Sequence, residues 1–232
     1  MRLLSIEAAT SVASVVAAVD DGELAAWREH TRQDLVRRLA GEVARVLGEA
    51  GLGFGELDLL VVGLGPGSFT SLRVGLATAK GIALAHDLPL VGVPSLEAMA
   101  WRMRRTFAGL ACPILDARRG EVYAALYRVG PEAISSVAEP FVVGVEGLAA
   151  RLEEAGEPGV VFGEVGALPE AVRDRLAACC HAEPVWPDAA AVAELGLRRF
   201  RERGGDDVVS LRPIYVRMSY AEEAANLDLG LR

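Results

Sequence analysis

Cys112-Pro113-Ile114-Leu115-Asp116, in the middle of the chain, repeats what Leu3-Leu4-Ser5-Ile6-Glu7 begins near the N-terminus: a short apolar run closed by an acid. The same series of elements follows each run. In the first half, Ala13 to Val19 is a second apolar run, and Asp20-Asp21-Gly22 behind it suits a tight hairpin turn. Leu24 to Glu29 returns as a third strand. Thr31 and Asp34 have the spacing of a helix cap and open a helix over 34–50. Its apolar stripe is Leu35, Leu39, Val43, Val46 and Leu47, and Gly51 ends it. Leu59 to Gly63 is a wholly apolar strand. A helix is expected from Thr70 to about His86, then a strand Leu90 to Val93, then a helix capped by Ser95 and running to about Phe107.

After Asp116, Ala117 to Gly120 reads as a turn and Glu121 to Val129 as a strand. Gly130-Pro131-Glu132-Ala133 turns the chain, and Ile134 to Val143 contains the third strand of this half. A helix over 145–155 and a strand Gly159 to Phe162 complete the series. Strand, hairpin, strand, helix, strand, twice over, predicts an α/β architecture of two similar lobes with mixed sheets and a cleft between them. The division falls at 106/107. Beyond Pro169, Glu170 to Ala178 and Asp188 to Arg203 read as helices and Val208 to Val216 as extended. The C-terminal segment is expected to pack back on the first lobe.

Of 232 residues, 52% are hydrophobic, enough for a real core in either one large domain or two lobes. No apolar run approaches the roughly 18–20 residues of a membrane span, and Glu7 interrupts any leader-like core, so a soluble cytoplasmic protein without membrane contact is expected. The formal charge of −8 argues against a protein that grips nucleic acid mainly through its own basic field, and leaves room for no more than a local patch. Neither half hides such a field: up to Asp116 there are 11 basic and 13 acidic residues, and beyond it 13 and 19. Lys80 is the single lysine and is followed by Gly81, so there is no P-loop. Cys112, Cys179 and Cys180 lack metal-type spacing, and His30, His86 and His181 form no i, i+3 or i, i+4 pair.

The chemistry-bearing stretch is Gly63-Leu64-Gly65-Pro66-Gly67-Ser68-Phe69-Thr70, between a buried strand and a helix, with Ser71 and Arg73 just beyond. Glycines and a helix N-terminus can cradle an anion; equally, they can simply build a strand-to-helix turn capped by a hydroxyl. Glu7 and Asp116 are matched acids at the ends of the two first strands. They either face each other across a cleft around a magnesium nucleotide, with Thr10, Ser11 or Arg118, Arg119 and Gly120 beside them, or cap strand ends at turns. The helix 70–86 carries small residues around most of its face, which allows a second helix to come close.

Three stretches taken together resemble the TsaB (YeaZ) family. They are Gly65-Pro66-Gly67-Ser68-Phe69-Thr70 with Arg73, Val91-Gly92-Val93-Pro94-Ser95-Leu96-Glu97, and Asp116-Ala117-Arg118-Arg119-Gly120-Glu121-Val122-Tyr123. Near the C-terminus, Pro213-Ile214-Tyr215-Val216-Arg217 with Ala221-Glu222 is similar to that family's closing motif. The resemblance implies a two-lobed fold of the actin, sugar-kinase and Hsp70 type, that is, a duplicated ribonuclease H-like fold. It implies a role in forming threonylcarbamoyladenosine beside the anticodon of tRNAs that read codons starting with A. It further implies a scaffold that is not itself catalytic, paired with the metal-bearing paralogue TsaD and joined by a small ATPase, TsaE. ATP or ADP and the metal would sit on the partners, this chain would require no cofactor of its own, and tRNA would touch it only indirectly.

Mapped here, the resemblance places the partner surface on helices 34–50 and 70–86, at Leu35, Leu39, Val43, Val74, Thr78, Ala79 and Ile82. With the partner absent, the same surface is expected to make homodimers. Glu7, Asp116 and Arg118 would be what remains of a nucleotide site. The catalytic relative carries a His-x-x-x-His pair on the helix after the strand matching Leu90–Val93. Here that helix reads Ser95-Leu96-Glu97-Ala98-Met99-Ala100-Trp101-Arg102, without histidine, which argues against a metallopeptidase. Two departures from the family pattern stand out: Glu7 where Asp is usual, and Ser71 where Gly is usual. The rival reading is an ATP-binding phosphotransferase of the same fold.

Overall fold

The computed structural model describes residues 1–31, 34–154, 159–176 and 180–217. The first sheet is built on β1 (Arg2–Glu7), which is apolar on both faces: Leu4 and Ile6 enter one core and Leu3 the other. β1 pairs antiparallel with β2 (Val12–Val19) and parallel with β4 (Leu59–Gly63). β3 (Gly22–His30) lies beyond β2 and β5 (Leu90–Val93) beyond β4, in the order β3-β2-β1-β4-β5. The second sheet repeats the plan with β6 (Gly109–Arg118), β7 (Glu121–Val129), β8 (Ile134–Gly144), β9 (Gly159–Gly163) and β10 (Cys180–Pro184). Its order is β8-β7-β6-β9-β10. Two β-β-β-α-β units with the same strand order make this the duplicated, two-lobed actin-type architecture. β10, the counterpart of β5, was not anticipated, because Cys180-His181-Ala182-Glu183-Pro184 carries no apolar run.

Helices α1 (Leu35–Glu49) and α2 (Phe69–His86) cover one face of the first sheet. The α1 stripe of Leu35, Leu39, Val43, Val46 and Leu47 is buried there in full, as the 3.6-residue period requires. The opposite face is covered by α6 (Ala189–Arg203), a helix from the second half of the chain. Gly196 makes that contact possible, since a Cβ there would lie 2.1 Å from Val61 Cγ1. Conversely, α3 (Ser95–Met103) leaves the first half and packs Leu96, Met99 and Ala100 against the second sheet. The outer face of that sheet carries α4 (Val145–Glu154) and α5 (Glu170–Arg175). A cut at 106 therefore separates the two sheets but not the packing. α3 and α6 are exchanged, and they are tied together by Arg199 to Glu97 (2.5 Å) and Arg104 to Glu194 (2.7 Å).

Several sequence expectations need correction. α3 stops at Met103, and Ser95 does not cap it; its hydroxyl is engaged elsewhere. Thr31 does not cap α1: its N–H donates to the Ser11 carbonyl, and Asp34 makes no side-chain cap. The extended reading of 208–216 fails at its start. A single bridge joins Asp206 to Leu90, a turn follows at 208–210, and Val208, Leu211 and Ile214 pack against the first-lobe core. Ala221-Glu222 and Cys179 lie outside the described residues. Among the described residues, no helix is long and apolar enough to cross a membrane.

Candidate functional site

Glu7 ends β1 but does not face the cleft. Its carboxylate folds back into the protein, accepting the Ala9 N–H on Oε1 (2.6 Å) and the Ser95 hydroxyl on Oε2 (2.7 Å). Ser95 Oγ in turn accepts the Gly65 N–H (3.1 Å), so the acid props three segments at once: the β1–β2 loop, the motif loop and the start of α3. The space exists because Gly63 has no side chain; a Cβ there would sit 2.0 Å from Glu7 Oε2. Burial pushes the Glu7 carboxyl up to about 7, against the hydrogen bonds from the Ser95 hydroxyl and the Ala9 and Ala8 N–H groups that favour its ionised form. Glu7 is thus an internal strut, and its expected place in a nucleotide site is corrected.

Gly65, Pro66 and Gly67 form a tight loop over that strut, with Gly65-Pro66 in the cis form. Two of the loop's donors are engaged within the protein: Gly65 N–H by Ser95 and Ser68 N–H by the Ala9 carbonyl (2.7 Å). Ser68 caps α2, accepting Ser71 N–H, and the two hydroxyls pair at 3.0 Å, so Ser71 joins the cap rather than disturbing it. Phe69 and Arg73 follow on the first turns of α2. The Arg73 guanidinium stacks 3.6 Å over the Phe69 ring, and its Nε donates to Tyr215 Oη (3.0 Å). Among the described residues it has no carboxylate partner. Thr70 is exposed on the same turn.

A cavity of about 640 Å³ lies between the lobes and brings these residues to those of the second lobe. Asp116, Arg118, Tyr123 and Glu164 line it from the second lobe, and Tyr215 and Arg217 of the C-terminal segment line it as well. The Arg118 guanidinium pairs with the Asp116 carboxylate (2.9 Å), whose other oxygen accepts the Arg118 N–H (2.7 Å). Arg118 and Arg119 both hold left-handed backbone, with φ of +66° and +57°, at the tip of the β6–β7 hairpin. Glu164 accepts the Asp116 N–H (2.7 Å), and burial, with the Asp116 charge beside it, pushes its carboxyl upward. Sequence reading missed Glu164. The signal was the repeat itself, because Gly63-Leu64 and Gly163-Glu164 hold the same place behind β4 and β9.

The pair of facing acids expected around a magnesium nucleotide is not present in this cleft. The first-lobe acid is withdrawn into the interior, two loop N–H groups that could meet phosphate are engaged within the protein, and Asp116 is covered by Arg118. Among the described residues, no three His, Cys, Asp or Glu side chains stand close enough to share a metal ion.

The seven residues expected on the partner surface divide. Leu35, Leu39, Val43 and Ala79 are buried in this chain's own core and present nothing outward; Val74, Thr78 and Ile82 are half-buried at the margin. The correction follows from the first sheet, which takes the longest apolar stripe of each helix for itself. What faces outward is a second, smaller-grained surface: Val36, Ala40, Ala44 and Gly48 at four-residue spacing on α1, and Ala77, Gly81 and Ala85 likewise on α2. Leu84 adds to it, 67% exposed.

The family model "TsaD: tRNA N6-adenosine threonylcarbamoyltransferase" matches residues 28–162, more than half of the chain. The tRNA threonylcarbamoyladenosine biosynthesis protein TsaB of Escherichia coli is 39% identical over 131 residues, 55% of each chain. The TsaB protein of Bacillus subtilis is 29% identical over 226 residues, 96% of each chain. The structure of YeaZ from Pseudomonas aeruginosa superposes with a TM-score of 0.76 at 24% identity, over 92% of this chain and 99% of that one, a likeness of fold. The match to Escherichia coli TsaB spans about half of that protein, whereas the match to the Bacillus subtilis protein runs nearly end to end. Motif loop, closing segment, duplicated sheets and family model agree, and the chain belongs to the TsaB (YeaZ) branch of the tRNA threonylcarbamoyltransferase family.

Proposed function

We propose that this chain serves the formation of threonylcarbamoyladenosine in tRNA as a subunit that carries no catalytic site of its own. It pairs with a TsaD-like catalytic paralogue through the outer faces of α1 and α2, and a TsaE-like ATPase joins the pair. ATP or ADP and the metal belong to those partners, the tRNA contacts lie mainly with them, and the setting is the cytoplasm. With the partner absent, the same faces pair two copies of this chain. One observation carries the reading. The chain aligns with the threonylcarbamoyltransferase family across α3, yet α3 brings no histidine to the place where the catalytic relative has its pair. Support comes from the outward faces of α1 and α2, whose alanines and glycines let partner helices approach to backbone distance, and from a cleft from which Glu7 is withdrawn.

Co-expression with the TsaD-like protein of the same genome tests the pairing. A stable complex is expected with the wild-type chain, and its loss with Ala77→Arg or Ala40→Arg, both exposed positions where arginine leaves the fold intact. Leu39→Arg is expected to unfold the chain instead, because Leu39 is core. Failure of the wild-type chain to bind, or undiminished binding by both arginine variants, contradicts the proposal.

A further inference from the structure

Residues 206–217 cross from one lobe to the other, and both ends are pinned. On the first lobe, the Asp206 N–H donates to the Leu90 carbonyl (2.8 Å), and its carboxylate accepts the Gly92 N–H (2.8 Å). The single lysine, Lys80, donates to the Val209 carbonyl (3.0 Å), and Ile214 N–H donates to the Leu64 carbonyl (2.8 Å). Arg73 then holds Tyr215. Two residues later Arg217 reaches the second lobe. It donates to the Ala117 carbonyl (3.1 Å) and pairs with Glu121, so it grips both strands of the β6–β7 hairpin beside the strained Arg118-Arg119 tip. Arg217 is only 17% exposed, so this contact is largely out of solvent, where a charge-assisted bond holds best.

The position of this segment gives it leverage. On one side of the molecule the lobes are joined by the exchanged helices α3 and α6. Away from those helices, Tyr215, Val216 and Arg217 line the cavity between the lobes. We infer that residues 206–217 form a strap that fixes the angle between the lobes, with Arg217 as its far pin. The width of the cleft is then set by the chain itself rather than by a ligand, and release of Arg217 lets the second lobe swing about the α3–α6 contact. The inference does not depend on the tRNA reading above.

Hydrogen–deuterium exchange and small-angle X-ray scattering on the full chain test it, using Arg217→Met, Glu121→Gln and the conservative Arg217→Lys. In the first two variants, exchange across 115–121 and 211–217 should rise about tenfold, the size expected for losing one charge-assisted hydrogen bond. The radius of gyration should grow, while β1, β4 and residues 109–114 of β6 keep wild-type protection. Arg217→Lys, which retains the charge, should recover part of the effect. Unchanged exchange at 115–121 in both Arg217→Met and Glu121→Gln overturns the strap. So does uniform acceleration through both sheets in both variants, which would make the pair a support of the fold rather than of the lobe angle.

Discussion

Glu7 shows how one side chain decides between two uses of the same site. Its carboxyl keeps its proton up to about pH 7 in the folded chain, against an ordinary value of 4.5. The folded state therefore binds that proton more tightly than the unfolded one. Glu7's contribution to stability is greatest at acid pH and is lost as pH rises through 7, a total of about 3 kcal/mol. Glu7→Gln keeps the shape and removes the charge. Urea unfolding at a series of pH values should show wild type losing about 3 kcal/mol relative to Glu7→Gln between about pH 4 and 8; a pH-independent difference contradicts the buried strut. An acid closing the first strand was legible in the sequence. Its direction was not, because that depends on Gly63 leaving a space and on a hydroxyl at Ser95, 88 residues away. Glu164 lay hidden for a related reason: nothing local marks it, only its place in the repeat.

The helices were read correctly as helices and partly misassigned as surfaces. Periodicity tells that α1 has an apolar stripe; it does not tell which neighbour receives it, and the chain's own sheet lies nearest. The small residues of α2 were legible as a surface for close approach, but which of them face outward, and the matching face of α1, emerged only from burial. Glycines on these helices illustrate the difference. Gly196 faces Val61 with no room for a methyl group, so Gly196→Ala should cost about 1–3 kcal/mol in denaturant unfolding despite alanine's better helix propensity. Gly48 on α1 has open space around it, and Gly48→Ala should be neutral or stabilising by up to about 1 kcal/mol. The reverse order of stabilities would mean that α6 does not lie on β4 as described.

At the scale of the whole molecule, the duplication was legible because each unit announces itself locally, through strand runs, turn residues and a helical stripe, and the two copies share an order. The exchange of α3 and α6 and the course of 206–217 were not, because the destination of a helix or strap is a matter of long-range packing that no local period encodes. The result is a two-lobed body joined by its exchanged helices, with a cleft from which Glu7 is withdrawn and a small-residue face left outward. The account's central claim is that this chain contributes surface rather than chemistry. The direct measurement is threonylcarbamoyladenosine formed in tRNA by the reconstituted TsaD-like and TsaE-like partners, with the chain supplied as wild type, as Ala77→Arg, or as Asp116→Asn with Glu164→Gln. Modification should require the chain, survive the cleft substitutions at close to the wild-type rate, and fail with Ala77→Arg. Modification without the chain, or its loss in the cleft variant while the complex stays assembled, would contradict the account.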